Sequence, residues 1–526
     1  MLIDFIDAEA PQEYSADVAI AGSGPAGLSL AFRLADAGYS VLVLEAGGAT
    51  FEQDSQDLYD GELLGRDYSL TGTRLRQFGG TSGHWNGQTD ALRPYDLVGK
   101  PWLPQDIGWG ISFDDLDPYH AQAHEFLELG SGDRAVITQA TRNGVGARGD
   151  EAFGYNRAWK YRSRDGLRFA LRLAERDLAV IEQHERIDCL LHANVIGFER
   201  SEPGDHVTRL KFRTLSGKEG TASARLFVLA CGGLENPRLL LNMIDEGPLG
   251  DPSASAHLGK YFQEHPNCMI GTIAATKTGS DYIDPAITYT EDESGAGESL
   301  WKPYLNISPE AQEREQIGAG YFRFYEPTLR QASGIEPPPR SLAGKAIWAA
   351  RNIDELAYSF IPKSLRSDAN VFRLIRFYSE FEQTPSVDNF VSLGAERDRL
   401  GLRKLRFNWK IGAREVQTVL GVAKEFARFL AKEQFGRLAL DSWLTGSVEE
   451  AIQDIGWGYA AHHIGTTRLA TSAAQGVVDT DLKYFGVDNL YVAGSSVFPS
   501  SGFANPTLTL TALSYRLADH MIARLQ

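Results

Sequence analysis

Hydrophobic runs and their period divide the chain before any single residue is considered. Residues 17–21 form a short apolar run that ends in glycines, the pattern of a strand buried on both faces of a parallel sheet. Residues 25–37 follow with Leu28, Ala31, Leu34 and Ala35 on one helical face, and Gly38 closes that helix. Residues 41–44 are a second apolar run, ending at Glu45. Strand, glycine turn, helix and strand in this order predict a right-handed βαβ unit. Residues 226–230 and 490–493 repeat the strand-then-glycine grammar, leading into Cys231-Gly232-Gly233 and Gly494-Ser495-Ser496. These distant strands are predicted to join the same sheet, which makes that domain discontinuous.

The centre of the chain reads differently. Residues 377–393, FYSEFEQTPSVDNFVSL, predict two strands around a Pro/Ser/Asp/Asn turn. Residues 415–430 carry Val416, Leu420, Ala423, Ala427 and Leu430 at helical spacing, predicting an amphipathic helix that covers a sheet. Residues 276–299 and 330–345 are polar and glycine-bearing and predict loops. The fold class is therefore α/β: a doubly wound, Rossmann-like domain with an α+β substrate domain, an antiparallel sheet covered by helices. The expected boundaries give residues 1–100, 185–269 and 455–526 to the doubly wound domain. Residues 101–184, with connecting segments, and residues 270–454 go to the substrate domain.

Composition narrows the partners. With 526 residues the chain exceeds one ordinary core. A net charge of -17 repels phosphate backbones, so nucleic acid is not an expected partner. No apolar run approaches the roughly 20 residues that cross a bilayer. The opening stretch, MLIDFIDAEAPQEYSADVAIAGSG, lacks a basic segment, a long apolar segment and a small-residue cleavage site, so a cytoplasmic location is expected. Cys189, Cys231 and Cys268 show no CxxC spacing, which suggests neither a disulfide framework nor a thiolate metal site.

Two stretches carry candidate chemistry. In AGSGPAGLSLAFRLADAGYSVLVLE, Gly22, Gly24 and Gly27 form GxGxxG between a strand and a helix. The first glycine allows the tight turn, the second lets backbone approach a pyrophosphate, and the third lets the helix pack closely. Glu45, at the end of the next strand, can accept from both ribose hydroxyls and disfavours a 2′-phosphate. The motif does not separate FAD from NAD. In AAHHIGTTRLA, His462 stands beside His463. Adjacent histidines are compatible with a metal pair, a base or packing. A zinc pair needs i, i+4 spacing or further ligands, and the chain has neither HExxH nor a cysteine pair, so no metal is expected.

Further segments carry a resemblance. RQFGGTSGHWNGQTDALRPYD (residues 76–96), LHANVIGF (191–198), LFVLACGGLENPRLLLN (226–242) and the C-terminal stretch from HHIGTTRLA through SSGFANPTLTLTAL resemble the glucose–methanol–choline (GMC) oxidoreductases. These are FAD enzymes that oxidise alcohols, and the likeness is closer to their branch of pyranose oxidases and fructose dehydrogenase large subunits. It is loose over residues 270–454.

The resemblance implies that the doubly wound domain binds FAD. By motif register Gly79, Gly80, Thr81 and Ser82 would lie along the pyrophosphate and isoalloxazine, and Val195 would hold the adenine through its backbone. Gly494 and Ser495 would lie near the ribityl chain, where many flavoproteins have an aspartate. Gly22, Gly24, Ala26, Gly27, Glu45 and Ala46 would complete the nucleotide end, and Ala230, Gly232, Asn505 and Thr507 the rest. His84 and Trp85 fall in the register of an HW pair whose histidine is bonded covalently to the flavin in pyranose oxidases; a covalent link and simple packing both stay open. His462 stands in the register of the catalytic histidine, three residues before Gly465, and Asn505 in ANPT is its partner position. Asn followed by Pro also suits a helix cap. His463 is out of register and is read as packing. If the segment is extended, the two rings point to opposite faces and only one meets the flavin. His265, in YFQEHP, resembles a stretch near the substrate cavity and is read as an orienting residue.

Alcohol oxidation moves a hydride from C–H and a proton from O–H, and imidazole, with a reference pKa of about 6.5, suits the proton. The expected function is FAD-dependent oxidation of a CH–OH group, a secondary hydroxyl of a sugar or glycoside, with His462 as the base. An aromatic or other primary alcohol is the alternative substrate; a cyanohydrin-type lyase and a non-catalytic flavin-binding protein are alternatives of other classes. Electrons would pass to oxygen, a quinone or a cytochrome partner. The chain has no CxxCH, so any haem would belong to that partner. Homo-oligomerisation stays open.

Overall fold

The computed structural model describes residues 1–129, 153–161, 170–283, 290–291, 299–325, 373–454 and 456–526. The expected loop at 330–345 lies outside them.

Three sheets organise these residues. The first has eight strands. Its parallel part runs Leu2–Asp4, Ile187–Leu191, Val41–Leu44, Glu13–Ala21, Glu219–Leu229 and Leu490–Val492. Glu219–Leu229 is long enough to serve several partners. Phe227 to Leu229 pair in parallel with Leu490–Val492, while residues 219–223 pair antiparallel with Val207–Arg213, which in turn pairs with Asn194–Arg200. Both distant segments expected in the sheet are thus in it. Helix Pro25–Asp36 buries Leu28, Leu30, Ala31 and Leu34 completely, each leucine contributing about 1.5–3 kcal/mol. Beside it packs helix Thr507–Leu525, tied by Arg33 Nη2 to Asp519 Oδ1 at 2.8 Å.

The second sheet is antiparallel with nine strands. At its centre Pro266–Ala275, Arg373–Phe381 and Gly320–Tyr325 lie side by side. Helix Ala413–Lys432 packs against it. Val416, Ala423 and Leu430 are buried as expected, joined by Val419, Val422, Phe426 and Phe429, while the expected face residues Leu420 and Ala427 are half-buried. Phe426 and Phe429 widen the stripe beyond the expected face. Phe426 stacks on Phe377 with ring centroids 4.3 Å apart.

Both strands expected within residues 377–393 are present, but they do not pair with each other. Arg373–Phe381 belongs to the nine-stranded sheet, and Phe390–Arg397 to a three-stranded sheet with Arg403–Asn408 and Gly61–Leu63. The region 276–299 is not a single loop: Lys277–Ile283 is a helix, and Thr290–Glu291 is a strand on Ser299–Ile307. That helix rests on one buried Ile283 and on Tyr282 packed 4.8 Å from Phe435, too little apolar pattern to be read in advance. No helix among the described residues is long and apolar enough to cross a membrane.

Candidate active site

A cavity of about 690 Å³ opens where the parallel strands end. Gly22, Glu45, Ala230 and Gly494 border it, each just past the C-terminal end of a strand. Nucleotides bind open α/β sheets in this crevice.

The three motif glycines do three different things. Gly22 has φ +102°, and a Cβ there would lie 2.6 Å from the Ala230 carbonyl oxygen. Gly24 faces open space, with nothing within 4 Å of the place its Cβ would take. At Gly27 a Cβ would lie 2.0 Å from the Gly22 carbonyl oxygen, so helix and turn touch through backbone alone. Helix Pro25–Asp36 has no side-chain cap, leaving its first N–H groups for an anion. Glu45 Oε2 accepts from the Ser23 N–H at 3.0 Å and the Ser23 hydroxyl at 2.6 Å. Its Oε1 accepts from the Gly47 N–H at 3.0 Å, which fixes the carboxylate and leaves it accepting capacity.

The other expected cofactor residues are distributed around this core. Ala26, Ala46 and Val195 border the nucleotide end. Gly80, Thr81 and Ser82 border the cavity beyond the turn, and Gly232, Ser495 and Thr507 close it further along. Gly79 is a correction: it is not on the wall. It has φ +79°, its N–H donates to Ser23 Oγ at 3.1 Å, and a Cβ there would lie 2.8 Å from Ala174 N. Gly79 shapes the turn that presents its neighbours. His84 and Trp85 are on the wall; the Trp85 indole donates to Leu171 O at 2.6 Å, whereas the His84 ring has no hydrogen-bond partner among the described residues. Burial and the Arg172 charge lower the His84 pKa.

His462 stands at the far end. Ala461 before it has φ +63°, unusual for a residue with a Cβ. Both histidines border the cavity. They differ in what holds them. The His463 ring lies 5.8 Å from Tyr68 and 6.3 Å from Phe262, with Nε2 buried and unpartnered among the described residues. Burial, then the Arg74 charge, pushes its pKa down to about 3. His462 is half-buried, and its Nδ1 lies 2.8 Å from His265 Nδ1. Its Nε2 has no partner among the described residues and is open to the cavity. Burial depresses the His462 pKa well below the usual value, and the His265, His463 and Arg323 charges add to this.

One carboxylate sets the backbone of both interacting histidines. Glu264 Oε1 accepts from the His462 N–H at 2.7 Å and the Tyr68 hydroxyl at 2.6 Å; Oε2 accepts from the His265 N–H at 2.8 Å and the Ala460 N–H at 3.2 Å. Asn505 also borders the cavity. The helix-cap expectation for it is corrected: Pro506 precedes the helix at Thr507, no side chain caps it, and Asn505 Nδ2 donates to Gln88 O at 2.8 Å. This bond fixes the amide and leaves its oxygen and second N–H uncommitted.

Arg323, Tyr378 and Glu380 are on the same wall and escaped the sequence reading. Arg323 Nη2 pairs with Glu380 Oε1 at 2.8 Å. Their strands run antiparallel with Tyr321 opposite Glu380 and Arg323 opposite Tyr378. Alternation marks such positions as facing one side, but only the pairing of strands brings them together.

Parts of the chain match known families. Residues 385–514 match the model of the GMC oxidoreductase family, and residues 20–55 that of an NAD(P)-binding Rossmann-like domain. The chain is a GMC oxidoreductase. Among relatives of this GMC oxidoreductase, 2-methyl-1,2-propanediol dehydrogenase of Mycolicibacterium austroafricanum is 22% identical over 97% of this chain and 95% of its own. The fructose dehydrogenase large subunit of Gluconobacter japonicus is 20% identical over 97% of this chain and 98% of its own. A solved variant of formate oxidase from Aspergillus oryzae, 16% identical, has the same fold, with a TM-score of 0.59 over 98% of this chain and 99% of that one. The cofactor of this GMC oxidoreductase is FAD, and the residues fit it. Gly24 leaves bare backbone at the cavity, the adjoining helix start is uncapped, and Glu45 is poised as an acceptor.

Proposed function

We propose that this chain oxidises a secondary CH–OH of a sugar or glycoside to the carbonyl, with His462 as the general base. The observation that carries the reading is His462 Nε2, an unpartnered imidazole nitrogen open to the cavity that the glycine cradle begins. FAD bound along that cradle supplies the hydride acceptor. His462 takes the hydroxyl proton at Nε2, and its depressed pKa keeps the ring neutral and ready at pH 7. Asn505 holds the substrate oxygen through its uncommitted amide groups, and such positioning contributes several kcal/mol. The Arg323–Glu380 pair supports a polyhydroxylated substrate. Its charges cancel, so it suits a neutral hydroxyl better than a carboxylate. The name of the fructose dehydrogenase points to sugar oxidation, whereas 2-methyl-1,2-propanediol carries only a primary CH–OH, the alternative substrate class.

Anaerobic addition of a panel of sugars, glycosides and simple alcohols tests the reading. Sugars are expected to bleach the flavin fastest; reoxidation by air or by a quinone then identifies the acceptor class. A flavin bleached by no member of the panel would overturn the proposal. We also propose that the flavin is held without a covalent bond, since no hydrogen bond among the described residues aims the His84 ring. Acid precipitation should leave the yellow colour in the supernatant, and a yellow pellet would show the link.

A further inference from the structure

We infer that His265 is a positioning residue that locks His462 into the tautomer with hydrogen on Nδ1, leaving Nε2 bare. The inference rests on the proposed role of His462 for its catalytic meaning, but the tautomer follows from geometry and burial without that role.

Three contacts determine it. His265 Nε2 lies 3.0 Å from Gly502 O and 3.3 Å from Ser501 O. Carbonyl oxygens only accept, so this nitrogen carries hydrogen. His265 is fully buried, and burial lowers its pKa despite the opposing Glu380 charge, so the ring is neutral near pH 7. A neutral imidazole with hydrogen on Nε2 has a bare Nδ1. That nitrogen lies 2.8 Å from His462 Nδ1. A contact this short needs one hydrogen between the two nitrogens: none would set lone pair against lone pair, and two would collide. The hydrogen belongs to His462 Nδ1. His462 is itself held neutral, so its Nε2 is the bare nitrogen.

The rest of the site keeps this arrangement from slipping. The rings meet edge to face, with centroids 5.0 Å apart and planes at 85°. Glu264 grips both backbone N–H groups, so two segments distant in sequence are pinned through one carboxylate. Without His265, a neutral His462 would be free to place its hydrogen on Nε2, and in that form it cannot take a proton from substrate. When His462 does take the proton, its Nδ1–H still donates to His265 Nδ1, so the new cation gains a stronger hydrogen bond.

The test uses the FAD-loaded enzyme and two readouts. Histidine-selective 15N spectra of the wild type should show His462 with a protonated Nδ1 and a bare Nε2. A protonated Nε2 would overturn the inference, and this readout does not depend on any substrate. In single-turnover flavin reduction, His265→Leu should slow the limiting rate about tenfold to a hundredfold with little change in KM, the scale of losing an orienting partner. His265→Gln can donate its amide N–H to Gly502 O and accept from His462 Nδ1–H with its amide oxygen. It should recover the rate to within about threefold. A Gln variant as slow as the Leu variant would also overturn the lock. If no substrate reduces the wild-type flavin, the proposed function fails while the spectra still decide the tautomer.

Discussion

The two ends of the cavity are built from different material. The nucleotide end is backbone: bare Gly24, the turn at Gly22, the uncapped start of helix Pro25–Asp36, with Glu45 as its chief side chain. The far end is side chains: His462, His265, Arg323, Glu380 and Asn505, supplied by segments from across the chain. A cofactor with a long diphosphate is held by amide groups, which every residue has, so the protein needs only glycines where a Cβ would intrude. A reacting hydroxyl needs specific acids, bases and donors. Substitutions at the first end should therefore remove the cofactor, and substitutions at the second should remove chemistry while the cofactor stays.

The largest effect is expected at Gly27. In Gly27→Ala the Cβ would lie 2.0 Å from the Gly22 carbonyl oxygen, and backbone on both sides leaves no cheap retreat. The variant should purify almost free of flavin, read as the ratio of flavin to protein absorbance. In Gly24→Ala the Cβ meets no protein atom, so the chain should fold and lose FAD affinity only about tenfold, the cost of roughly 1.4 kcal/mol. A Gly27→Ala protein with full flavin would erase the contrast between the two glycines.

His462→Ala should come next, with full flavin content and flavin reduction slowed by at least about a hundredfold. The pH dependence carries a sign. A base with a lowered pKa stays neutral through the ordinary histidine range, so the reduction rate should not fall on acidification until well below about pH 6.5. Stability moves too. Unfolded histidines take up protons below about pH 6.5 while buried His265, His462 and His463 resist, so the unfolded state binds more protons and acid should destabilise the fold. A rate falling with an ordinary histidine pKa would break the link between burial and function.

A smaller, selective effect is expected at Glu380. Glu380→Gln weakens the hold on Arg323, the pair read as sensing a neutral hydroxyl. Loss of one such hydrogen bond costs about 1–1.5 kcal/mol, so kcat/KM should fall about tenfold for sugars. A monohydric alcohol should change less than about threefold. Equal losses for both would remove Glu380 from substrate selection.

The same contrast explains what could be read from sequence. GxGxxG is legible because its parts are adjacent: strand, turn and helix are local, and Gly27 answers to Gly22 within the unit, although Gly22 itself lies against the distant Ala230. Four of the six parallel strands were legible as apolar runs; Leu2–Asp4 and Ile187–Leu191 were not. The partners of strands were not, because alternation in residues 377–393 says which face a residue takes but not which strand lies beside it. The buried face of helix Ala413–Lys432 is wider than expected: Val416, Ala423 and Leu430 are buried as read, but Phe426, which stacks on Phe377, was not among the expected residues. Arg323 and Glu380 carry no local signal at all; they meet through strand pairing.

The smallest effect makes the sharpest test, because it concerns two neighbours. His463 borders the same cavity as His462, yet its ring is packed by Tyr68 and Phe262 and its buried Nε2 makes no hydrogen bond among the described residues. A buried polar atom without a partner costs about 1–3 kcal/mol, so an apolar ring of similar shape loses nothing there. His463→Phe should therefore keep its flavin, hold Tm or raise it, and reduce flavin within about threefold of the wild-type rate. The adjacent His462→Ala is expected to lose a hundredfold. The pair thus differs not in residue type or position but in one contact: His462 has His265 behind it to direct a bare nitrogen into the cavity, and His463 has two aromatic rings. If His463→Phe slowed reduction as much as His462→Ala, that contact would not be what makes a histidine here a base.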